Sequence, residues 1–361
     1  MKILVFGGTG AMGVPVVEIL AERGHDVCVT TRKERAPQSA NVHYIVGDAK
    51  DRMFVESLLT AADGLHLYDV LIDFMIYGSE EFRERIDLLC GSVGQYFFFS
   101  SSRVYADAGA VRITEESPRL LDAIEDPEYL ATDEYALAKA REEDALRNSC
   151  HTNWTIIRPY ITYNDARLQL GVLEKEQWLQ RALEGKAVVF SKDIAERTTT
   201  LTYGYDVSLR VADLVGVEAA KGETFHIATE QTITWGRVLK IYLDTLEMQT
   251  GTRPRVVWAE HFEDLAGLNR WQIRYDRLYD RRFDSRKIQM VTGETRPYTE
   301  TEAGLKACLD RFLKGDRRFL GRNWKTEAAF DRISGDRARL ADIRGRKNKL
   351  RYVVYRYIMM P

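Results

Sequence analysis

The stretch VFGGTGAMG, residues 5–13, closes an apolar run and is too rich in glycine for an ordinary strand or helix. It contains Gly8-x-Gly10-x-x-Gly13, and Gly7-x-x-Gly10-x-x-Gly13 in an overlapping frame. A strand that turns tightly into a helix uses such glycines when backbone N–H groups must face an anion and the helix N-terminus supplies partial positive charge. The motif therefore predicts a phosphate cradle of Gly7, Thr9, Gly10, Ala11, Met12 and Gly13.

Outward from that turn, KILVFGG, DVCVTTR, VHYIVGD, DVLIDFMIYG, QYFFFSSS and WTIIRPY read as strands. Helical patterns lie between them: Val16 to Arg23 stopped by Gly24, then MFVESLLTAA and SEEFRERIDLLCGSV. The strand runs are apolar throughout, as expected when both faces are covered. One helix between successive strands predicts an α/β fold, a doubly wound parallel sheet of the Rossmann kind. Beyond Tyr163 the pattern loosens into mixed helix and strand, with TLTYGYDVSLRVADLVGVEAA returning to the sheet. The expected organisation is a Rossmann domain of 1–165 plus about 200–235 and a smaller C-terminal α/β substrate domain of about 166–199 plus 236–310. A basic C-terminal extension follows, 311–361.

Net charge is −2 over 361 residues, but residues 316–361 carry +8 and the rest −10. The body therefore offers no nucleic-acid surface, and only the tail could touch an anionic membrane. A solvated helical appendage is the expected form of that tail. Cys28, Cys90, Cys150 and Cys308 show no CxxC spacing, and the six histidines show no metal-ligand spacing, so no metal is expected. The cysteine usage and the absence of a span of about 20 apolar residues point to the cytoplasm.

The second strand ends Thr30-Thr31-Arg32-Lys33. A carboxylate there would accept a ribose 2′-hydroxyl, whereas a guanidinium attracts a 2′-phosphate. Arg32 and Lys33 thus favour NADP, with NAD still open. Asp48, with Ala49 beside it, is placed to meet an adenine amino group. Tyr135-x-x-x-Lys139 lies in an Ala-rich stretch that Thr132 or Asp133 could cap as a helix. The i,i+4 spacing sets phenol and ammonium on one face, and a nearby ammonium favours a phenolate. At the end of the fifth strand, the hydroxyls of Ser100, Ser101 and Ser102 lie where ligands of such sheets bind.

In this order, GGTGAMG, VGDAKD, DVLIDF, FFFSSSRVYAD, YALAK, IIRPYITYN and FDSRKI resemble the extended short-chain dehydrogenase/reductase superfamily, the sugar-nucleotide epimerase/dehydratase group. The wording near the N-terminus is similar to the branch holding reductase-like proteins and chloroplast stem-loop RNA-binding proteins. The resemblance implies Tyr135 as acid/base, Lys139 as its partner and ribose anchor, and Ser101 on the reacting oxygen. It also implies that Phe74, Met75 and Ile76, with Pro159, Tyr160 and Ile161, line the cofactor. Dehydratases of this group carry Thr-Asp-Glu where this chain has Ser101-Ser102-Arg103, so the resemblance argues against 4,6-dehydration.

The expected activity is NADPH-dependent reduction of a nucleotide-linked keto-sugar. The alternatives are a C4 epimerase with tightly held NAD, and a non-catalytic redox-sensing or RNA-associated scaffold. Arg103, Tyr163 and Asn164 are candidates for the sugar end, with Trp235, Trp258, Arg270 and Trp271 behind them. A homodimer through the helices at 80–93 and 133–148 is the usual assembly of the superfamily.

Overall fold

The structure, a computed structural model, describes residues 1–10, 12–60 and 66–358. Ala11 of the predicted cradle and Ala61 and Ala62 of the predicted second helix lie outside the described residues.

Seven parallel strands form the central sheet. They are β1 (Lys2–Phe6), β2 (Asp26–Thr31), β3 (Val42–Val46), β4 (Tyr68–Asp73), β5 (Val93–Phe99), β6 (Trp154–Pro159) and β7 (Glu223–Ile227), in the order β7-β6-β5-β4-β1-β2-β3. Val5 pairs with Val29 on one side and Ile72 on the other, and Arg158 of β6 pairs with His226 of β7. The order reverses between β1 and β4, so a crevice opens there beyond the carboxyl ends of the strands.

Both faces of the sheet are apolar and covered. Ile3, Val5, Val29, Ile72 and Phe97 pack against Val16, Val17 and Leu20 of α1 (Gly13–Glu22) and against Val207 and Val211. Leu4, Phe6, Leu71, Tyr96 and Phe98 pack on the other side with Val55, Phe82 and Leu89. This double coverage explains the unbroken apolar runs in the sequence. The largest apolar cluster lies outside the sheet. It joins Trp178, Phe190, Trp235 and Tyr242 with Leu305, Leu309 and Phe312 of the helix Thr301–Lys314.

Three elements depart from the sequence reading. The stretch SEEFRERIDLLCGSV is two short helices, Ser79–Arg83 and Ile86–Gly91. The break falls where Arg85 turns inward, stacking 5.3 Å over the Tyr77 ring and donating to the Lys50 carbonyl. β4 stops at Asp73 rather than near Gly78, because the Asp73 carboxylate takes the Met75 N–H that a strand would have paired elsewhere. The helix α2 (Tyr135–Arg147) is capped by Glu134, whose Oε2 accepts the Ala136 N–H. Thr132 instead donates to the Tyr129 carbonyl, and Asp133 is held by Ser79 and Arg141.

The basic extension is a docked element, not a solvated appendage, and the helix Thr301–Lys314 runs through position 311, where the extension was expected to begin. Helix α3 (Trp324–Ser334) docks through its few acids. The fully buried Arg181 reaches Glu327 and Asp331, both at 2.8 Å, and Lys186 reaches Glu327 at 2.6 Å. Tyr352 of α4 (Arg346–Val353) closes the cluster by donating to Asp331 at 2.6 Å. Removing one partner of a buried pair leaves an uncompensated charge. Asp331→Ala is therefore expected to cost about 3 kcal/mol in a urea melt and to make the 315–358 segment the first site of trypsin cleavage.

Candidate active site

A cleft of about 580 Å³ lies above the switch point, lined by Gly7, Gly10, Met12, Phe74–Ile76, Ser100, Ser101, Tyr135, Lys139 and Pro159–Ile161. Each glycine of the turn has its own physical reason. Gly7 sits at φ +69°, which L side chains rarely adopt, and an added Cβ would meet Phe74 at 3.3 Å. A Cβ on Gly13 would lie 2.6 Å from Gly8 Cα, so that glycine lets α1 close onto the strand. A Cβ on Gly10 would meet nothing closer than the Gly7 carbonyl at 3.7 Å. The protein's own packing does not require Gly10, and its bare backbone faces the cleft. The first turn of α1 carries no acidic residue, and its N-cap Met12 offers no side-chain acceptor. Val14 N–H already donates to the Gly10 carbonyl and Pro15 has no N–H, so what α1 offers an anion is the positive end of its dipole. The cradle fits the diphosphate of a dinucleotide.

The side chains around the reacting centre come from the ends of β4 and β5 and from α2. Tyr135 opens that helix and Lys139 follows one turn later on the same face. Ser101 stands after β5, where its Oγ accepts the Arg103 N–H at 3.2 Å. Lys139 is buried and donates to Glu142 Oε2 at 2.8 Å, while its ammonium rests 4.7 Å over the Phe98 ring. Glu142 Oε1 is buried without a hydrogen-bond partner. Asp73, also near Lys139, accepts from Tyr77, Tyr96 and the Met75 N–H. Burial pushes the Asp73 carboxyl up to about 6, against the pull of those hydrogen bonds and of Lys139.

Behind them lies a polar knot. Glu143 is fully buried and accepts from Ser100 Oγ at 2.6 Å and from Arg158 at 2.7 and 2.5 Å. Burial raises the Glu143 carboxyl, but the Arg158 hydrogen bonds and charge outweigh that and hold it below the usual range. Arg158 also stacks 4.7 Å over Tyr105, whose hydroxyl meets His226 Nδ1 at 3.3 Å. Burial lowers His226 to about 4.

The outer part of the cleft is cationic. Arg103, Arg167 and Arg277 line it, with Gln169, Glu174 and Gln272. Arg103 donates to Glu134 at 2.7 Å and lies 5.4 Å over the Tyr135 ring, yet its Nε has no hydrogen-bond partner. Arg277 pairs with the buried Asp276, which also accepts from Tyr160 at 3.1 Å and Arg281 at 3.2 Å. Burial lowers Arg277 to about 10.

The structure thus brings most of the predicted site residues to one cleft. Thr9 lies in the turn beside it, and Arg32 and Lys33 are exposed at the end of β2. Several others stand elsewhere. Ala49 is buried in the apolar layer beneath the sheet, and exposed Asp48 accepts the Lys50 N–H of its own turn. Tyr163 is a core residue, because its hydroxyl occupies the space a Cβ on Gly304 would need, 2.0 Å away. Asn164 forms a turn, accepting from Ala166 and Arg167 at 2.9 Å, and so orients Arg167. Trp235 is buried and Trp258 is exposed. Trp271 stacks on Tyr275 and carries Arg270 over its ring.

Sequence reasoning missed Glu142, Glu143, Arg158, Arg167 and Arg277. A Glu-Glu pair three and four residues beyond Lys139, and the Arg of IIRPY, were the available signals. Asp87, Cys150 and His151 do meet at the surface with donor atoms within 4.8 Å, but the 3.1 Å Asp87–His151 contact is an ordinary surface pair.

Comparisons with known proteins agree with this geometry. Residues 1–79 match the NmrA-like family. The chloroplast stem-loop binding protein of 41 kDa b of Arabidopsis thaliana is 26% identical over 254 residues, spanning 66% of this chain and 61% of the plant protein. The dTDP-glucose 4,6-dehydratase of Bacillus anthracis str. Ames, solved with NAD, superposes with a TM-score of 0.65 at 17% identity, over 88% of this chain and 98% of that one. The UDP-glucuronic acid 4-epimerase of Bacillus cereus, also with NAD, gives 0.62 at 16% identity, over 87% and 99%. The chain therefore has a Rossmann fold. The match to the NmrA-like family covers the glycine turn.

Three expectations follow. Gly13→Ala should destabilise the fold by about 1–3 kcal/mol through overpacking. Gly10→Ala should keep the melting temperature but weaken dinucleotide binding, measured by calorimetry. An acid whose folded pKa lies above its unfolded value binds its proton more tightly in the fold, so Asp73 makes stability fall as pH rises from about 4 to about 6. Asp73→Asn should flatten that slope in urea melts across the same range.

Proposed function

We propose that this chain is an NAD(P)-dependent oxidoreductase acting on a nucleotide-linked sugar, most simply the NADPH-dependent reduction of a keto-sugar. The observation that carries the reading is the meeting, in one cleft, of the Gly7–Gly13 turn with Ser101, Tyr135 and Lys139. When bound, the nicotinamide supplies hydride exchange. The chain's own part is to hold the sugar and manage its proton. Ser101 Oγ–H donates to the sugar carbonyl oxygen, and the Tyr135 phenol delivers the proton that oxygen takes up. Lys139, one turn along the same face, stabilises the phenolate left behind.

The cationic outer cleft supports a substrate with a diphosphate. Arg103, Arg167 and Arg277 supply guanidinium charge along the lining for such an anion. The exposed Arg32 and Lys33 at the end of β2 support NADP, since their charges would attract a 2′-phosphate. Arg103 in place of a dehydratase carboxylate supports reduction over dehydration.

Tyr135→Phe should lower turnover about 10²- to 10⁴-fold while leaving dinucleotide affinity nearly intact. Arg32→Glu should weaken NADP binding and spare NAD. The dinucleotide released on denaturing the purified protein separates the readings: exchangeable NADP fits a reductase, and tightly retained NAD fits a C4 epimerase. Wild-type turnover in Tyr135→Phe would defeat both.

A further inference from the structure

The basic tail plays no part in the cleft, yet its outward face has an unusual composition. Residues 337–358 hold eight cations and one carboxylate, Asp342. Arg344, Arg346, Lys347 and Arg351 are exposed, and none of them makes an ion pair among the described residues. The inner face of α4 is already committed: Tyr352 is buried, bonded to Asp331 and to the Ala338 N–H, and packed edge-on against Trp324.

Lys347, Leu350 and Arg351 share the opposite face at i,i+3,i+4 spacing. The wider turn Val354–Ile358 then brings Tyr357 and Ile358 out as well. Leu350 is 65% exposed, Tyr357 60% and Ile358 67%, with Leu340 at 47% nearby. A surface helix ordinarily turns its apolar residues inward and its charges outward. Here aliphatic and basic side chains stand outward together, after the helix has already buried an apolar face of its own.

We infer that this outward face of residues 337–358 docks on an anionic lipid bilayer. Leu350 and Ile358 enter the acyl boundary, while Lys347 and Arg351 meet the headgroup phosphates. The combination of outward aliphatic and basic residues is what an interfacial helix requires. Charge complementarity fixes the partner's sign. A nucleic acid would use the cations and Tyr357 but gives Leu340, Leu350 and Ile358 nothing to bury against. The −10 charge of residues 1–315 also orients the protein, because an anionic surface repels the body and attracts only the tail.

The test uses the full chain with vesicles of phosphatidylcholine, with and without phosphatidylglycerol, read by co-sedimentation. Binding is expected only with phosphatidylglycerol, and it should weaken as salt rises. The double variant Lys347→Glu/Arg351→Glu should lose at least about tenfold in partitioning. Leu350→Asp with Ile358→Asp should lose binding at low salt too, with the fold checked by circular dichroism. Equal binding to both vesicle types, no binding, or an unaffected Leu350→Asp/Ile358→Asp chain would overturn the proposal. So would binding to poly(U) RNA with none to the vesicles, which would give the face to nucleic acid instead.

Discussion

One buried carboxylate fixes the geometry of the cleft. Glu143 sits on α2 facing the ends of β5 and β6, and it receives Ser100 from one strand and Arg158 from the other. Burying an ion pair brings little net stability, but breaking one is costly, so such a pair acts mainly to select one arrangement. The selected arrangement places the first turn of α2 at the mouth of the crevice. Tyr135 and Lys139 are then set by their distance along the helix from Glu143, two turns and one turn back. The knot extends through Arg158 to Tyr105 and His226, which burial keeps uncharged at neutral pH, while Arg147 and Arg119 add their charge to Glu143 from its outer side.

Lys139 has two acidic neighbours below the cleft, Glu142 in direct contact and Asp73 further off. One ammonium faces two buried carboxyls; burial raises Asp73, and the Lys139 charge pulls against that rise. The outer half of the cleft has the opposite balance, with Asp276 set among Arg277, Arg281 and Arg103. The cleft thus divides into a glycine-lined end with a free helix terminus, a middle of hydroxyls and one ammonium, and an arginine-rich end.

What was legible in the sequence was local. The glycine turn was readable because the positive φ of Gly7 and the contact of Gly13 with Gly8 are local to one strand–turn–helix unit. The strands were readable because both faces of the sheet are covered and their runs are mainly apolar. Tyr135 and Lys139 were readable from helical spacing. Features that depend on distant segments were not. Tyr163 looked available for a sugar because Gly304, which makes room for its ring, is far along the chain. The packing of Ala49 beneath the sheet and the hydrogen bond of Asp48 to the Lys50 N–H were not visible in the sequence either. The tail's net charge suggested a solvated appendage, whereas its acids Glu327, Asp331 and Asp336 dock on Arg181 and Arg255, and Arg344, Arg346, Lys347 and Arg351 stay exposed. Charge counts summed over a segment carry no information about which residue points where.

The contact between Tyr163 and Gly304 has an evolutionary consequence. The phenolic oxygen stands where any side chain at 304 would begin, so the two positions cannot drift separately. Relatives with alanine or anything larger at position 304 should carry a residue smaller than phenylalanine at position 163, because the ring carbon Cζ itself lies 2.9 Å from that Cβ. That coupling ties the chain after β6 to a helix of the large core outside the sheet.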